Sequence, residues 1–281
     1  MSTSRISGLW TKASPKHLVS ALITIILVLG EWNFGVLGGY DRLATALGTA
    51  MAAEILLSRW LLGTWPPSLL SAYISGNSIA LLVKPQEGLL WPFAVVAVIS
   101  IASKYVLRFR GGHLWNPTNF GISMLLLLAA PKVSILSHEW GNALAVNGVI
   151  WAIGLIVVRR ARLLHVTAAY AGSFVALAWV RSLVLGNTTF LTEVGPITGP
   201  MYQLFVFFMI TDPPTSVRTL RGRLTVAVVI AVVECALRLG NDLHHAWAAP
   251  FASAPAFYAL FVVGPVALLL TRKPRVSEAS A

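Results

Sequence analysis

The sequence predicts an all-α integral membrane protein of about ten transmembrane helices, with both chain ends on the cytoplasmic side. Three observations lead there. First, 57% of the 281 residues are hydrophobic and only 11% are charged, with a mean hydropathy of +0.76; soluble domains carry about 25% charged residues. Second, the apolar residues fall in runs near the ~20 residues that a helix needs to cross a bilayer. Third, the basic residues alternate from side to side once those runs are numbered.

The runs can be justified in order. The first, 18–36, follows Arg5, Lys12 and Lys16; no small-x-small cleavage site follows it, so it is expected to be retained rather than removed as a signal peptide. The second, 43–61, holds Glu54 at its middle. The third, 67–83, opens at Pro66-Pro67 and is interrupted by Ser75-Gly76-Asn77-Ser78. The fourth, 89–106, is followed by Arg108 and Arg110. The fifth, 115–130, opens with Asn116-Pro117-Thr118-Asn119, a capping residue ahead of a proline in the first turn. The sixth, 141–158, ends at Arg159, Arg160 and Arg162, and the seventh spans 163–185. The eighth, 192–210, is interrupted at Gly195-Pro196 and Gly199-Pro200 and stops at Thr211-Asp212-Pro213-Pro214. The ninth, 223–239, follows Arg218, Arg221 and Arg223 and contains Glu234. The tenth, 246–270, carries Pro250, Pro255, Gly264 and Pro265.

With the N-terminus inside, the inner segments hold Arg5, Lys12, Lys16, Arg59, Lys104, Arg108, Arg110, Arg159, Arg160, Arg162, Arg218, Arg221, Arg223, Arg272, Lys273 and Arg275. Only Arg42, Lys84, Lys132, Arg181 and Arg238 lie outside, and together these are all 21 Lys and Arg. This is the bias of the positive-inside rule, and slipping one span would scramble it. The net charge of +11 therefore reads as the inner collar of a cell-membrane protein in a lipid bilayer, not as a nucleic-acid-binding face. Trp10, Trp60, Trp65, Trp91, Trp115, Trp140 and Trp247 fall near span ends, as an interfacial belt would. One cysteine, Cys235, excludes an intrachain disulfide and any CxxC motif.

The chain divides into a cytoplasmic tail 1–17, a five-helix half 18–130, a second half 131–270 and a tail 271–281. The halves echo each other. Ile74-Ser75-Gly76-Asn77 in span 3 matches Ile197-Thr198-Gly199-Pro200 in span 8, and His113-Leu114-Trp115 matches His245-Ala246-Trp247. Five spans per half inverts the second half, and paired interrupted segments point to a midplane binding site. The freed backbone of a broken helix must line a cavity covered by protein, whereas small residues alone can also serve close helix packing.

Few residues look built for chemistry. Glu54 and Glu234 are intramembrane acids, costly in apolar surroundings and usually turned to the interior. Glu54 reads as an ion ligand, a proton carrier or a cap for freed backbone amides, or else as a protonated acid hydrogen-bonded to a neighbouring helix. Glu234 is placed to pair with Arg238 one turn on. Asn116-Pro117-Thr118 and Thr211-Asp212-Pro213 are polar, proline-fixed turns on one membrane face, where helix-start N–H groups favour a carbonyl-bearing or anionic ligand. Each also reads as a plain helix terminator. His244-His245 near Asp242 lack further ligands at metal spacing, and no metal is expected. No P-loop, dinucleotide fingerprint or Ser-His-Asp arrangement is present.

Phe208-Met209-Ile210-Thr211-Asp212-Pro213 with Arg221-Gly222-Arg223 resembles the signature of the NqrB/RnfD family. These are the membrane subunits of the sodium-pumping NADH:quinone oxidoreductase and of the Rnf electron-transport complex. His113-Leu114-Trp115-Asn116-Pro117, Ser75-Gly76, Glu54 and the stretch from Gly240 to Pro265 match that family in order. The resemblance covers nearly the whole chain. It implies a urea-transporter-like fold of inverted halves, flavin binding, and electron transfer with other subunits of a redox complex.

One departure is large: the loop 131–140 lacks the D-G-x-[ST]-x-A-T segment to which family members attach FMN. No covalent flavin is therefore expected. What the resemblance implies is non-covalent FMN or riboflavin, or a quinone, at the inner turns, with Ser75, Gly76, Asn77, Asn116, Pro117, Thr118, Thr211, Asp212 and Pro213 as candidate site residues. The short loop also resembles membrane proteins of enediyne biosynthesis clusters. A small-solute channel or transporter on the same fold is the competing function, and a ligand-free scaffold subunit is a third. At most this would be a redox subunit, since any NADH chemistry needs another chain.

Overall fold

In the computed structural model of the chain, the described residues are 15–129, 132–136, 143–212 and 215–271. The architecture is helical with two small hairpins. In chain order the elements are α1 (Pro15–Phe34), α2 (Tyr40–Leu62), α3 (Leu70–Leu82), β1 (Val83–Pro85), α4 (Trp91–Val106), β2 (Arg108–Phe109), β3 (Gly112–His113), α5 (Pro117–Ala129) and β4 (Val133–Ile135). There follow α6 (Leu144–Arg160), α7 (Leu164–Leu185), α8 (Phe190–Val194), a 3₁₀ turn (Gly195–Thr198), α9 (Pro200–Leu204), a π turn (Phe205–Met209), α10 (Leu220–Asp242), a 3₁₀ turn (Ala249–Phe251) and α11 (Pro255–Thr271).

Three of these, α1, α7 and α10, are long and apolar enough to cross a membrane. They mark a membrane-associated protein, and the surface agrees: Leu56, Leu128, Leu183, Val232 and Leu270 are large, apolar and exposed. Shorter apolar helices include α3, α4, α5 and α11. Helix ends follow local chemistry. α2 stops at Gly63 (φ 68) and α7 at Gly186 (φ 66), the left-handed conformation that glycine adopts without steric cost. Thr219 caps α10 by accepting from the Gly222 N–H at 3.1 Å.

Two interruptions were expected, and they differ. The eighth apolar segment is broken where its prolines stand: α8, a 3₁₀ turn opened at Gly195-Pro196, then α9 opened by Pro200. The third is not broken at Ser75-Gly76-Asn77-Ser78, because α3 runs through all four residues. Gly76 serves packing instead: a Cβ there would lie 2.9 Å from Leu47 Cα and 3.2 Å from Ala46 O on α2. α3 is nevertheless short, with 13 residues spanning about 20 Å. Its chain continues as β1, which pairs antiparallel with β4 in the register Val83↔Ile135 and Pro85↔Val133. Val83, Val133 and Ile135 are buried, and the ladder gives their backbone the partners that a buried extended segment needs.

In the first half α3 and α4 pack on α2, and α5 packs on α4; in the second, α8 and α10 pack on α7, and α11 packs on α10. The halves meet along α1–α6 and α5–α11. At the second seam Trp115 Nε1 donates to Phe261 O (2.8 Å) and Asn119 Nδ2 to Phe257 O (3.1 Å). The centre is filled by fully buried aromatics, including Tyr170, Tyr202, Phe205 and Phe257.

Candidate functional site

Asn116 and Thr211-Asp212 lie about a hundred residues apart in the chain, yet they share one cavity of about 490 Å³. Ligand sites typically enclose 300–1,000 Å³. The cavity lies between the start of α1, one face of α3, the end of α4, the turn before α5, the end of α6 and the π turn. One wall is polar: Ser71, Ser75 and Ser78 follow one another along α3 at helical spacing, joined by Lys104, His113, Asn116 and Thr118. The lining contributed by the end of α6 and the π turn is apolar, with Val157, Val158, Phe207, Phe208 and Met209.

Most of the polar side chains are held in place. Asn116 Oδ1 accepts from the Asn119 N–H at 3.1 Å, the N-cap bond of α5, with Pro117 as the first helical residue. Thr118 Oγ1 donates to Ser75 Oγ at 3.0 Å. Lys104 donates to Ser71 Oγ at 2.7 Å and forms an ion pair with Glu54. The His113 ring donates from Nδ1 to the Lys104 carbonyl at 3.2 Å. Burial, then the Lys104 and Arg108 charges, lower the pKa of His113 and favour its neutral form.

Asp212 closes the mouth. Its Oδ2 accepts from Thr215 Oγ1 at 2.9 Å, and its carbonyl accepts from Ser216 Oγ at 2.8 Å. Burial pushes its carboxyl up to about 6, opposed by the Thr215 hydroxyl, the Lys16 charge and the Asn116 side chain. A carboxyl so placed exchanges protons near neutral pH, in reach of whatever occupies the cavity. Thr211 is less exposed to chemistry, since its hydroxyl donates back to Phe207 O at 2.7 Å within the helical turn.

Of the nine residues singled out from the sequence, Ser75, Asn116, Pro117, Thr118, Thr211 and Asp212 line the cavity. Gly76 and Asn77 do not: Gly76 faces α2, and Asn77 Nδ2 donates to Tyr73 O at 2.9 Å within α3. Pro213 lies outside the described residues, as do residues 131 and 137–140 of the loop 131–140. Lys16, Ser71, Ser78, Lys104 and His113 were missed. The serine spacing along α3 was a usable signal; the two lysines were masked by their part in the inner charge bias.

Glu54 is bonded to a neighbouring helix, as one sequence reading had it, but with a lysine among its partners. It is ion-paired to Lys104 of α4 and accepts from Tyr105 Oη at 3.0 Å, so it buttresses the cavity wall from behind. Glu234 pairs with Arg238 at 2.9 Å, as its spacing suggested, and is also bound by Tyr170 and Tyr202. Fully buried and with both carboxylate oxygens occupied, it is a structural junction of α7, α9 and α10. Among the described residues no three His, Cys, Asp or Glu side chains gather as a metal site would. Compared with models of protein families and with curated proteins, the chain matches none.

Proposed function

We propose that the chain is a multi-pass membrane subunit of an Rnf- or Nqr-like electron-transport system. It would hold a flat, carbonyl-bearing redox ligand, a flavin or a quinone, non-covalently in the α1–α3–α6 cavity. The observation that carries this reading is the mixed lining of the cavity. It combines a hydroxyl and amide wall (Ser71, Ser75, Ser78, Thr118, Asn116) with an apolar part (Val157, Phe207, Phe208, Met209). A flat ring system with polar edges needs both: apolar area to cover its faces and a few placed hydrogen-bonding groups to orient it. When bound, the group would supply electron storage. The residues here bind it, exclude water, and offer a proton-exchanging carboxyl at Asp212.

The finer architecture belongs to the same proposal: ten crossings in two inverted halves, urea-transporter-like, both ends cytoplasmic. The packing order supports it, because α2–α4–α5 with α3 is repeated by α7–α10–α11 with α8. In an inverted pair each seam joins equivalent elements, and α1–α6 and α5–α11 are such pairs.

The test is a titration of detergent-purified protein with FMN, riboflavin and a short-chain quinone, followed by flavin fluorescence quenching and absorbance. Saturable binding is expected, weakened at least about tenfold by Ser75→Phe, whose ring would fill the cavity. No saturable binding of any of the three by the wild-type protein sinks the redox reading, and size-selective solute flux in liposomes would then favour a transporter.

A further inference from the structure

Among the described residues, three loops that reach the cavity lining at His113, Ala161 and Asp212 carry nearly all the exposed arginines of that end of the molecule. The β2–β3 hairpin contributes Arg108 and Arg110 and ends in His113 of the cavity wall, directly paired with Arg108. The α6–α7 turn contributes Arg159, Arg160 and Arg162, flanking Ala161 of the wall. The segment after Asp212 contributes Arg218 and Arg221. Arg108, Arg159, Arg162, Arg218 and Arg221 are exposed and have no carboxylate partner among the described residues. Apart from Asp212 in the wall, these loops contain no acid.

The positive-inside bias accounts for the sign of this rim but not for two of its features. Every basic residue in the three loops is arginine, and the bias is indifferent between lysine and arginine. Arginine differs in presenting a planar fork that fits a carboxylate bidentately. The second feature is the backbone. Arg110 (φ 47) and Arg162 (φ 57) are two of only three non-glycine residues with positive φ among the described residues. Arg110-Gly111, both at positive φ, occupies the hairpin position where Asn-Gly is the easy choice. Arginine stands at both sites against a steric preference; the Arg110 guanidinium lies over the Phe109 ring, 4.8 Å from its centroid, and that of Arg162 is exposed.

We propose that this rim docks a soluble protein with a carboxylate-rich face, seated over the cavity mouth. A fixed field of one sign around a concave opening steers an oppositely charged partner and sets its orientation. The partner so placed covers the entrance between Lys16 and Asp212, from which it can exchange electrons or ligand with the cavity. The proposal does not depend on which ligand the cavity holds.

The test uses the full chain in nanodiscs of neutral phosphatidylcholine. The probe is a strongly acidic flavodoxin, with basic cytochrome c as the charge control, and the readout is the dissociation constant as a function of salt. Expected is binding of flavodoxin but not of cytochrome c, weakening steeply with salt. Each of Arg108→Glu/Arg110→Glu, Arg159→Glu/Arg162→Glu and Arg218→Glu/Arg221→Glu should weaken it about tenfold. Lys132→Glu, at the opposite end, should leave it unchanged. Absence of salt-dependent binding, or binding by the three double variants as tight as by the wild type, overturns the proposal. If instead the variants lose only co-purifying phosphatidylglycerol, the rim is a lipid collar and the proposal is likewise overturned. Flavin titration of the same variants is a separate readout, so failure here leaves the ligand reading standing on its own test.

Discussion

Lys104 is the residue on which the cavity wall turns. Its ammonium is held between Glu54 of α2 and Ser71 of α3, and both side chains of the ion pair are about nine-tenths buried. Removing one partner of such a pair strands the other charge and costs about 3–5 kcal/mol, whereas replacing both by apolar groups is far milder. Glu54→Gln is therefore expected to lower the thermal midpoint in detergent sharply, and Glu54→Leu/Lys104→Met to recover most of the loss. Equal melting of Glu54→Gln and the wild type would mean that the pair contributes nothing. Asp212 gives a pH signature. Its carboxyl is raised from 3.8 to about 6 in the folded protein, so the folded state binds the extra proton in that window. The stability tied to this group is then fully present below about pH 4 and lost as pH rises through 6. Asp212→Asn keeps an acceptor for Thr215 and should flatten the stability–pH curve between pH 4 and 6, measured by thermal unfolding across that range.

At the scale of elements, α3 is the instructive case. A polar Ser-Gly-Asn-Ser run in an apolar segment looks like a break, yet the helix continues because each residue has a helical use. Ser75 meets Thr118, Asn77 bonds back to Tyr73, and Gly76 lets α2 approach. The two views of Gly76 predict opposite signs. Helix propensity alone would make Gly76→Ala stabilising by about 1 kcal/mol. Contact with the α2 backbone makes it destabilising, by roughly 1–3 kcal/mol, which is the outcome expected from chemical or thermal unfolding. Gly154 of α6 works the same way toward the cavity: a Cβ there would sit 2.5 Å from the Phe207 ring, so a larger residue must displace that ring from the cavity wall.

At the scale of the whole molecule, the charge asymmetry and the fold describe the same ends. α1 runs from Lys16 at the cavity mouth to Glu31, which lies with Arg42 near Lys84 at the other end. There burial, then the Arg42 charge, lower the Lys84 ammonium to about 8. In a Cys235→Ala background, Arg221→Cys and Lys132→Cys are expected to react with an impermeant maleimide from opposite sides of sealed vesicles. Labelling of both from one side would overturn the proposed two-ended topology.

Much of this was legible in the sequence. Composition and apolar runs suffice for a helical, membrane-associated chain, because a segment's partition between lipid and water depends mainly on its own side chains. Each of the ten runs named from the sequence contains or coincides with helical segments, and the proline-marked break of the eighth is where the sequence put it, since a proline cannot donate to the helix ladder wherever it sits. The Asn116 cap and the Glu234–Arg238 pair were readable for the same reason, being interactions between near neighbours in the chain. Which distant residues meet was settled only in the folded chain. The continuity of α3 depends on the α2 backbone beside Gly76, the role of Glu54 on a lysine fifty positions away, and the cavity on six chain segments that no local rule relates. Long-range packing chooses among the locally permitted arrangements, and that choice brought Asn116, Ser75 and Asp212 to one cavity and left Gly76 and Asn77 outside it.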